Sequence, residues 1–88
     1  MNTISYNPGK IFVGQHCIIE SGKENVQSIG KIVDIETDFV IVSYFKDNQL
    51  FGRHNYDKTT GVRHETARIV EIQITDDEYH QHFPQTIL

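Results

Sequence analysis

The sequence has little of several residue types that mark particular classes of protein. Its 88 residues include no tryptophan, two prolines and one cysteine, Cys17. A single cysteine excludes an internal disulfide, and without a CxxC pair the chain lacks the usual cysteine framework for zinc. Cys17 lies in the apolar run CII, which favours a buried and unreactive thiol. We therefore expect a fold that depends on one modest hydrophobic core.

Long apolar runs are also missing. No stretch approaches the roughly 18 apolar residues that a membrane helix needs. The first residues, MNTISYNPGK, have neither the basic start nor the apolar block of a signal peptide. With 38% apolar and 23% charged residues, the composition is that of a globular protein. The sequence predicts a single domain over residues 1–88, no membrane association and a cytoplasmic location.

Positive charge is scarce overall but locally concentrated. The formal net charge is −4, which argues against broad, sequence-independent DNA binding because that binding depends on neutralising phosphates. Residues 1–45 carry a net charge of −2 and residues 69–88 carry −4. Residues 46–68 carry +2, from five lysines or arginines against three acids. A basic segment inside an acidic chain indicates a local interaction surface.

The apolar pattern predicts five short strands separated by turn residues. They cover residues 11–19, 30–36, 38–45, 50–56 and 67–74. Residues 75–78, TDDE, form a capping box, and Pro84 keeps the helix that follows short. Tyr79 and Phe83 form the apolar stripe of this helix. We therefore predict an all-β fold: a small five-stranded SH3-like barrel or a bent antiparallel sheet, with a short C-terminal helix.

Two stretches within residues 13–45 resemble a known pattern. VGQHCIIESG followed by GKIVDIETDFVIV is similar to the KOW pattern of SH3-like barrels, with a V-G-polar opening, a glycine-containing loop and a return strand. The resemblance implies a binding role of the kind that KOW proteins have with RNA, ribosomes or transcription complexes. The loops that are usually basic in such modules carry acids here: Glu20, Glu24, Glu36 and Asp38.

The run DKTTG at residues 57–61 is close to the DKTGT signature of P-type ATPases, in which the aspartate accepts a phosphate. An extra threonine separates the two patterns. The chain is also too short for the α/β domain that holds nucleotide and magnesium in such enzymes. We therefore interpret the run as a turn that Asp57 starts and in which Gly61 supplies a positive φ.

Five histidines raise the question of a metal site: His16, His54, His64, His80 and His82. His80 and His82 are two residues apart and would point to different sides of a helix. His54 and His64 face each other across the predicted hairpin but lack a third ligand. The chain has no nucleophile elbow, no HExxH and no glycine-rich phosphate loop. We expect no metal, no cofactor and no catalysis.

The strand FVIVSYF at residues 39–45 is apolar on both faces, whereas a strand with one wet face alternates. One face carries Phe39, Ile41 and Phe45, and the other carries Val40, Val42 and Tyr44. One of these faces can join the core. The other needs cover, either from the C-terminal helix through Tyr79 and Phe83 or from a partner. A homodimer through residues 39–45 is one form of that partner.

These observations favour a non-catalytic protein-binding module. It would act as an adaptor, a regulator or a small inhibitor of the kind that mobile elements encode. Aromatic and arginine side chains often anchor interfaces. On that ground the predicted binding residues are Tyr44, Phe51, Arg53, His54, Arg63 and His64. The alternative is a KOW-like nucleic-acid-binding module, in which the cations of residues 46–68 contact phosphate and Phe51 or Tyr56 stacks on bases.

Overall fold

The computed structural model describes residues 2–64 and 67–74. In this part of the chain, seven strands form one antiparallel sheet. The strands are β1 (Thr3–Ser5), β2 (His16–Ser21), β3 (Val26–Ile35), β4 (Phe39–Lys46), β5 (Gln49–Asp57), β6 (Val62–His64) and β7 (Ala67–Gln73). One turn of 3-10 helix at Pro8–Lys10 precedes β2, and the Asn7 side chain accepts from the Gly9 amide at its start.

The strand order across the sheet is β1-β7-β2-β3-β4-β5, and β6 pairs with β7 beside β1. β7 is therefore paired on both edges, with β2 on one side and with β1 and β6 on the other. β5 and β6 lie close together, but no ladder joins them within the described residues. The all-β antiparallel prediction is confirmed. The five-stranded closed barrel is wrong, because the three-residue β6 pairs with β7 and leaves the sheet open beside β5.

Irregular pairing bends the sheet. The β2–β7, β3–β4 and β4–β5 ladders each contain a register shift. Such shifts add a residue to one strand, which bends that strand and increases its twist. The bent sheet has an inner face, which holds the core, and an outer face on the opposite side.

The core lies on the inner face. Its fully buried members come from four central strands and β5: Cys17, Ile19, Ile32, Val40, Val42, Tyr56 and Ile72. Gly30 lets β3 pass close to its neighbours, because a Cβ at this position would lie 2.8 Å from both Ile19 Cδ1 and Val42 Cγ1. The buried Gln15 amide ties the end of the sheet to the first loop, since its Nε2 donates to the Lys10 and Gln73 carbonyls.

The strand boundaries differ from the predicted ones at the start of the chain. Ile11 and Phe12 are buried but precede β2, which begins at His16. β3 begins at Val26, four residues before the predicted start. The connection between β2 and β3 is shorter than the gap between the predicted strands, residues 20–29, because a tight turn with positive φ at Gly22 and Asn25 joins them. β1 and β6 are additional strands of three residues each, formed by pairing with β7.

The predicted helix after residue 75 lies outside the described residues. Within residues 2–64 and 67–74, the structure has no helix that is long and apolar enough to cross a membrane.

Candidate functional site

A line of apolar side chains crosses four strands on the outer face. Ile18 of β2 pairs with Ile29 of β3, and Phe45 of β4 pairs with Leu50 of β5. The pairing of Gly30 with Tyr44 places Ile29 beside Phe45. Ile29 is 47% exposed and Leu50 is 44% exposed. We call Ile18, Ile29, Phe45 and Leu50 the outer apolar row.

Next to this row lies an open groove of about 600 Å³. We call it the outer groove, and its lining residues are His16, Ser28, Ile29, Phe45, Lys46, Asp47 and Asn48. The His16 ring stacks on the Phe45 ring, with centroids 5.1 Å apart and planes inclined by 17°. An apolar floor with polar groups around it can hold a side chain of another molecule.

The β4–β5 turn sets the position of Phe45 and Leu50. Asp47 and Asn48 form a two-residue turn with φ of 53° and 61°. Aspartate and asparagine tolerate this left-handed geometry better than most residues, and it matches the twist of a hairpin. The predicted turn at residues 46–49 is confirmed, and it brings Phe45 and Leu50 opposite each other at the edge of the outer groove.

Three of the predicted binding residues meet on the inner face. Tyr44 pairs with Phe51, and the His54 ring lies edge-on to the Tyr44 ring with centroids 5.2 Å apart. The hydroxyls of Tyr44 and the buried Tyr56 share a hydrogen bond of 2.6 Å. Phe51 is 49% exposed at the end of this group. These aromatic residues therefore border the core and do not reach the outer groove.

The other three predicted binding residues, which lie elsewhere, are Arg53, Arg63 and His64. His54 pairs with the buried Val42 and faces inward, so the alternation of β5 places the exposed Arg53 on the outer face. Arg63 lies on β6. Burial, followed by the charge of Arg63, lowers the pKa of His54. His64 pairs with Ala67 in the β6–β7 ladder. The six predicted residues are thus divided between the two faces and the β6 edge.

The Asp57–Gly61 segment is a hydrogen-bonded turn, as predicted. Asp57 Oδ1 accepts from the Thr59 and Thr60 amides at 2.9 Å each and from Thr60 Oγ1 at 3.2 Å. The backbone bond from Thr60 is the main reason that the pKa of Asp57 is lowered. Gly61 has a φ of 76°. The aspartate oxygen therefore serves the geometry of the turn.

Tyr6 closes the same turn from the other side. Its hydroxyl donates to the Lys58 carbonyl at 2.5 Å, and burial raises its pKa to about 12. A Cβ on Gly61 would lie 2.9 Å from Tyr6 Cδ2, so the turn and the ring fit closely. This end of β5 thus presents a packed, hydrogen-bonded surface.

The predicted character of Cys17 is confirmed. Its side chain is fully buried, and burial raises its pKa to about 12. A thiol with so high a pKa forms almost no thiolate at neutral pH, and the thiolate is the reactive form. In the part of the chain that the structure describes, no group of three or more histidine, cysteine or acidic side chains is placed to hold a metal ion.

The cations of residues 46–68 do not form one continuous track. Arg68 Nη2 lies 3.4 Å from Glu20 Oε1 on the outer face. Lys46 lines the outer groove, Arg53 lies on the outer face, and Arg63 acts on His54 from β6. Their spread over several surfaces gives a nucleic-acid strand no single path of positive charge.

The binding residues predicted from the sequence do not include His16, Ile29 or Leu50. The available signal was that residues 39–45 are apolar on both faces, with Phe45 on one of them, and that one of the two faces needs cover. Ile29 preceded the strand predicted at residues 30–36 and was assigned to no strand, and Leu50 stood at the start of a predicted strand. Only the cross-strand register shows that these residues are neighbours.

No protein-family model, curated protein or solved structure matches this chain. The resemblance to KOW modules therefore stays a prediction.

Proposed function

We propose that this protein is a non-catalytic protein-binding module that acts in the cytoplasm and contacts its partner through the outer groove. The class of role is an adaptor, a regulator or a small inhibitor of the kind that mobile elements encode. The observation that supports this proposal is the outer apolar row. Apolar side chains scattered singly over a surface need no explanation, but a contiguous set beside a groove is typical of an interaction site.

The composition of the site fits a protein interface. Protein interfaces have an apolar centre and a polar rim, and aromatic residues often contribute much of the binding free energy. Phe45 and Ile29 form such a centre here, and Lys46, Asp47 and Asn48 form part of the rim. Of the residues predicted from sequence, Arg53 remains on this face. The proposal therefore moves the centre of the site from Tyr44 and His54 to the outer groove.

The alternative is a single-stranded nucleic acid, since Lys46 and the Phe45 ring both line the outer groove and Arg53 lies on the outer face. Such binding uses open aromatic faces on which bases stack. One face of Phe45 is already stacked with His16. Ile29 and Leu50, the most exposed residues of the outer apolar row, are aliphatic. The protein-binding role is the better supported of the two.

The test compares the wild-type protein with the double variant Ile29→Ser/Leu50→Ser. Each full-length protein is immobilised, partners are captured from an extract of the native host, and mass spectrometry identifies them. The leading partner is then purified and its Kd is measured by calorimetry. Removing two half-exposed aliphatic side chains takes away roughly 1 kcal/mol each, so we expect binding to weaken at least about tenfold.

Val13→Ser is the matched control, because Val13 is 50% exposed and belongs neither to the outer apolar row nor to the residues that line the outer groove. It should bind the partner as the wild type does. Circular dichroism checks that all variants keep their β structure. If the double variant binds the purified partner with wild-type affinity, or if the retained ligand proves to be RNA or DNA, the proposed function is wrong.

A further inference from the structure

The edge of the sheet at β5 is uncovered over the first half of that strand. Within residues 2–64 and 67–74, β4 is the only strand that forms a ladder with β5. Residues Gln49–Arg53 are all exposed, whereas Tyr56 near the end of the strand is buried. β6 lies close to β5, but the charge of its Arg63 acts on His54, in the second half of the strand. We call Gln49–Arg53 the free edge.

The free edge carries backbone groups that can pair with another strand. In an antiparallel sheet, every second residue of the last strand directs its N–H and C=O away from the neighbouring strand. The free edge also contains a bulge at Gly52, which has a φ of 65° and whose carbonyl accepts from the Ser43 hydroxyl at 2.6 Å. A bulge opposes pairing with long, flat strands. The free edge therefore suits a short segment, and its shape is set before that segment binds.

An apolar side chain is exposed at the free edge on each face of the sheet. Leu50 is the last member of the outer apolar row and is 44% exposed. Phe51 pairs with Tyr44 on the inner face and is 49% exposed. A strand added beside β5 would cover both side chains, because successive residues of a strand point to opposite faces. Their burial would favour association.

From these observations we propose that a short extended segment of another protein pairs with the free edge as an additional strand. Two successive apolar side chains of this segment cover Leu50 on the outer face and Phe51 on the inner face. The inference rests on the proposed protein-binding function, because the side chain beside Leu50 extends the outer apolar row by one strand. It specifies that the partner binds in an extended conformation, with backbone hydrogen bonds that contribute to affinity.

A second copy of this chain fits the free edge less well. Residues that pair across two strands share a face, so Leu50 of one copy cannot lie opposite Phe51 of the other. An antiparallel register centred on Leu50 places Phe51 opposite Gln49. A register centred on Phe51 places Leu50 opposite Gly52, which has no side chain. A register centred on Arg53 places two like charges opposite each other.

The experiment first selects a binding segment. Random linear peptides displayed on phage are selected against the full-length protein, and the strongest is synthesised with a fluorescent label. Its Kd is measured by fluorescence polarisation, and the measurement is repeated with versions that are each N-methylated at one backbone amide. We expect affinity to fall about tenfold at every second amide and less than about threefold at the amides between them. A series without this alternation would overturn the inference.

Two phenylalanine substitutions then locate the segment. Phe51→Ser should weaken binding of the peptide about tenfold, because it removes apolar surface at the free edge. Phe39→Ser is the matched control, since Phe39 is 46% exposed and pairs with Asp57 at the other end of the β4–β5 ladder. It should change the Kd less than about twofold. Equal effects of the two substitutions would show that the segment binds elsewhere, and the inference is then wrong.

Circular dichroism checks that both variants keep their β structure. If Phe51→Ser does not fold, the N-methylated series decides the matter, because it uses the unchanged protein.

Ile29→Ser separates the inference from the function on which it rests. Ile29 lines the outer groove and lies on β3, away from the free edge. If peptide binding depends on Ile29 but shows neither the alternation nor a dependence on Phe51, the groove binds proteins and only the inference is wrong. If binding depends on neither residue, both proposals fail.

Analytical ultracentrifugation of the protein without peptide tests the second copy as occupant. We expect a monomer at the concentrations used to measure binding. If a dimer forms and Phe51→Ser dissociates it, a second copy occupies the free edge and the inference is overturned.

Discussion

A turn that contains aspartate adjoins each end of β5, but the two turns have different surroundings. At its start, the Asp47-Asn48 turn brings Phe45, which lines the open outer groove, opposite Leu50, which stays 44% exposed. At its end, Asp57 accepts three hydrogen bonds within its own turn, and the Tyr6 ring packs on Gly61. The first turn leaves apolar surface uncovered, and we call it the open end of β5. The second turn is covered by Tyr6 and held by its own hydrogen bonds, and we call it the closed end.

A turn sequence by itself therefore does not mark a functional site. DKTTG contains more chemically suggestive residues than KDNQ, yet Asp57 Oδ1 and Thr60 Oγ1 are already engaged in hydrogen bonds of the turn. The KDNQ turn borders the outer groove. Its role there is to bring Phe45 and Leu50 opposite each other. Changes at the closed end should therefore affect stability, and changes at the open end should affect binding.

The largest expected effect on stability at the closed end comes from Gly61→Ala. The new methyl group would lie 2.9 Å from Tyr6 Cδ2 and 3.2 Å from the Ile69 carbonyl, at a φ of 76°. Left-handed backbone costs an alanine about 1 to 2 kcal/mol, and the overlap with Tyr6 adds about 1 to 3. We expect the free energy of unfolding, measured by urea titration, to fall by roughly 2 to 5 kcal/mol.

Gly22→Ala is the control for that substitution. Gly22 has a similar φ of 79°, but nothing lies within 4 Å of the position that its Cβ would occupy. This variant should lose only the backbone contribution, about 1 to 2 kcal/mol. Equal losses in the two glycine variants would show that the contact with Tyr6 does not constrain the turn.

A smaller effect, and one that depends on pH, is expected from Asp57→Asn. The folded-state pKa of Asp57 is lowered, first by the Thr60 backbone bond. Its contribution to stability is therefore present above the unfolded pKa of about 3.9 and is lost as the pH falls through the lower folded pKa. Urea midpoints of wild type and variant should differ at neutral pH and converge in acid.

Thr60→Val checks the origin of this dependence, because it removes one donor to Asp57 Oδ1 and keeps the side-chain shape. Its midpoint near neutral pH should lie between those of the wild type and Asp57→Asn. A constant difference between wild type and Asp57→Asn across the acid range would show that the charge of Asp57 does not stabilise the turn.

The smallest effect on stability is expected at the open end, from Leu50→Thr. Threonine keeps the β propensity of the position and removes apolar surface that is 44% exposed. The free energy of unfolding should change by no more than about 0.5 kcal/mol, as is usual for surface substitutions. A loss comparable with that of Gly61→Ala would mean that Leu50 belongs to the core and that the groove is a packing feature.

Local sequence patterns were enough to predict most of the strands. The alternating or β-branched runs that became β4, β5 and β7 were located to within about a residue at each end. β1 and β6 could not be predicted, because each has three residues and forms only by pairing with β7, which is remote from β1 in sequence. The start of β3 was missed for a related reason, since its first residues are polar and exposed and pair with β2.

The candidate site was less predictable than the fold. The sequence assigned Val40 and Val42 to one face of residues 39–45 and Phe45 to the other, and the structure shows that Val40 and Val42 face the core. Selecting residues by type, however, favoured Tyr44, Phe51 and His54, which meet on the inner face. Arg53 and Arg63 looked alike in sequence, but strand alternation and the β6–β7 pairing place them on different parts of the molecule.

By itself, the sequence determined the class of fold, the two turns of β5 and the buried state of Cys17, because local propensity and strand periodicity act over a few residues. Only the tertiary structure shows that, within residues 2–64 and 67–74, no ladder closes the sheet beside β5. It also decided that His16, Ile29, Phe45 and Leu50, which come from four strands, line one surface. Register across strands depends on bulges and on contacts between residues far apart in the chain, and no local pattern contains that information.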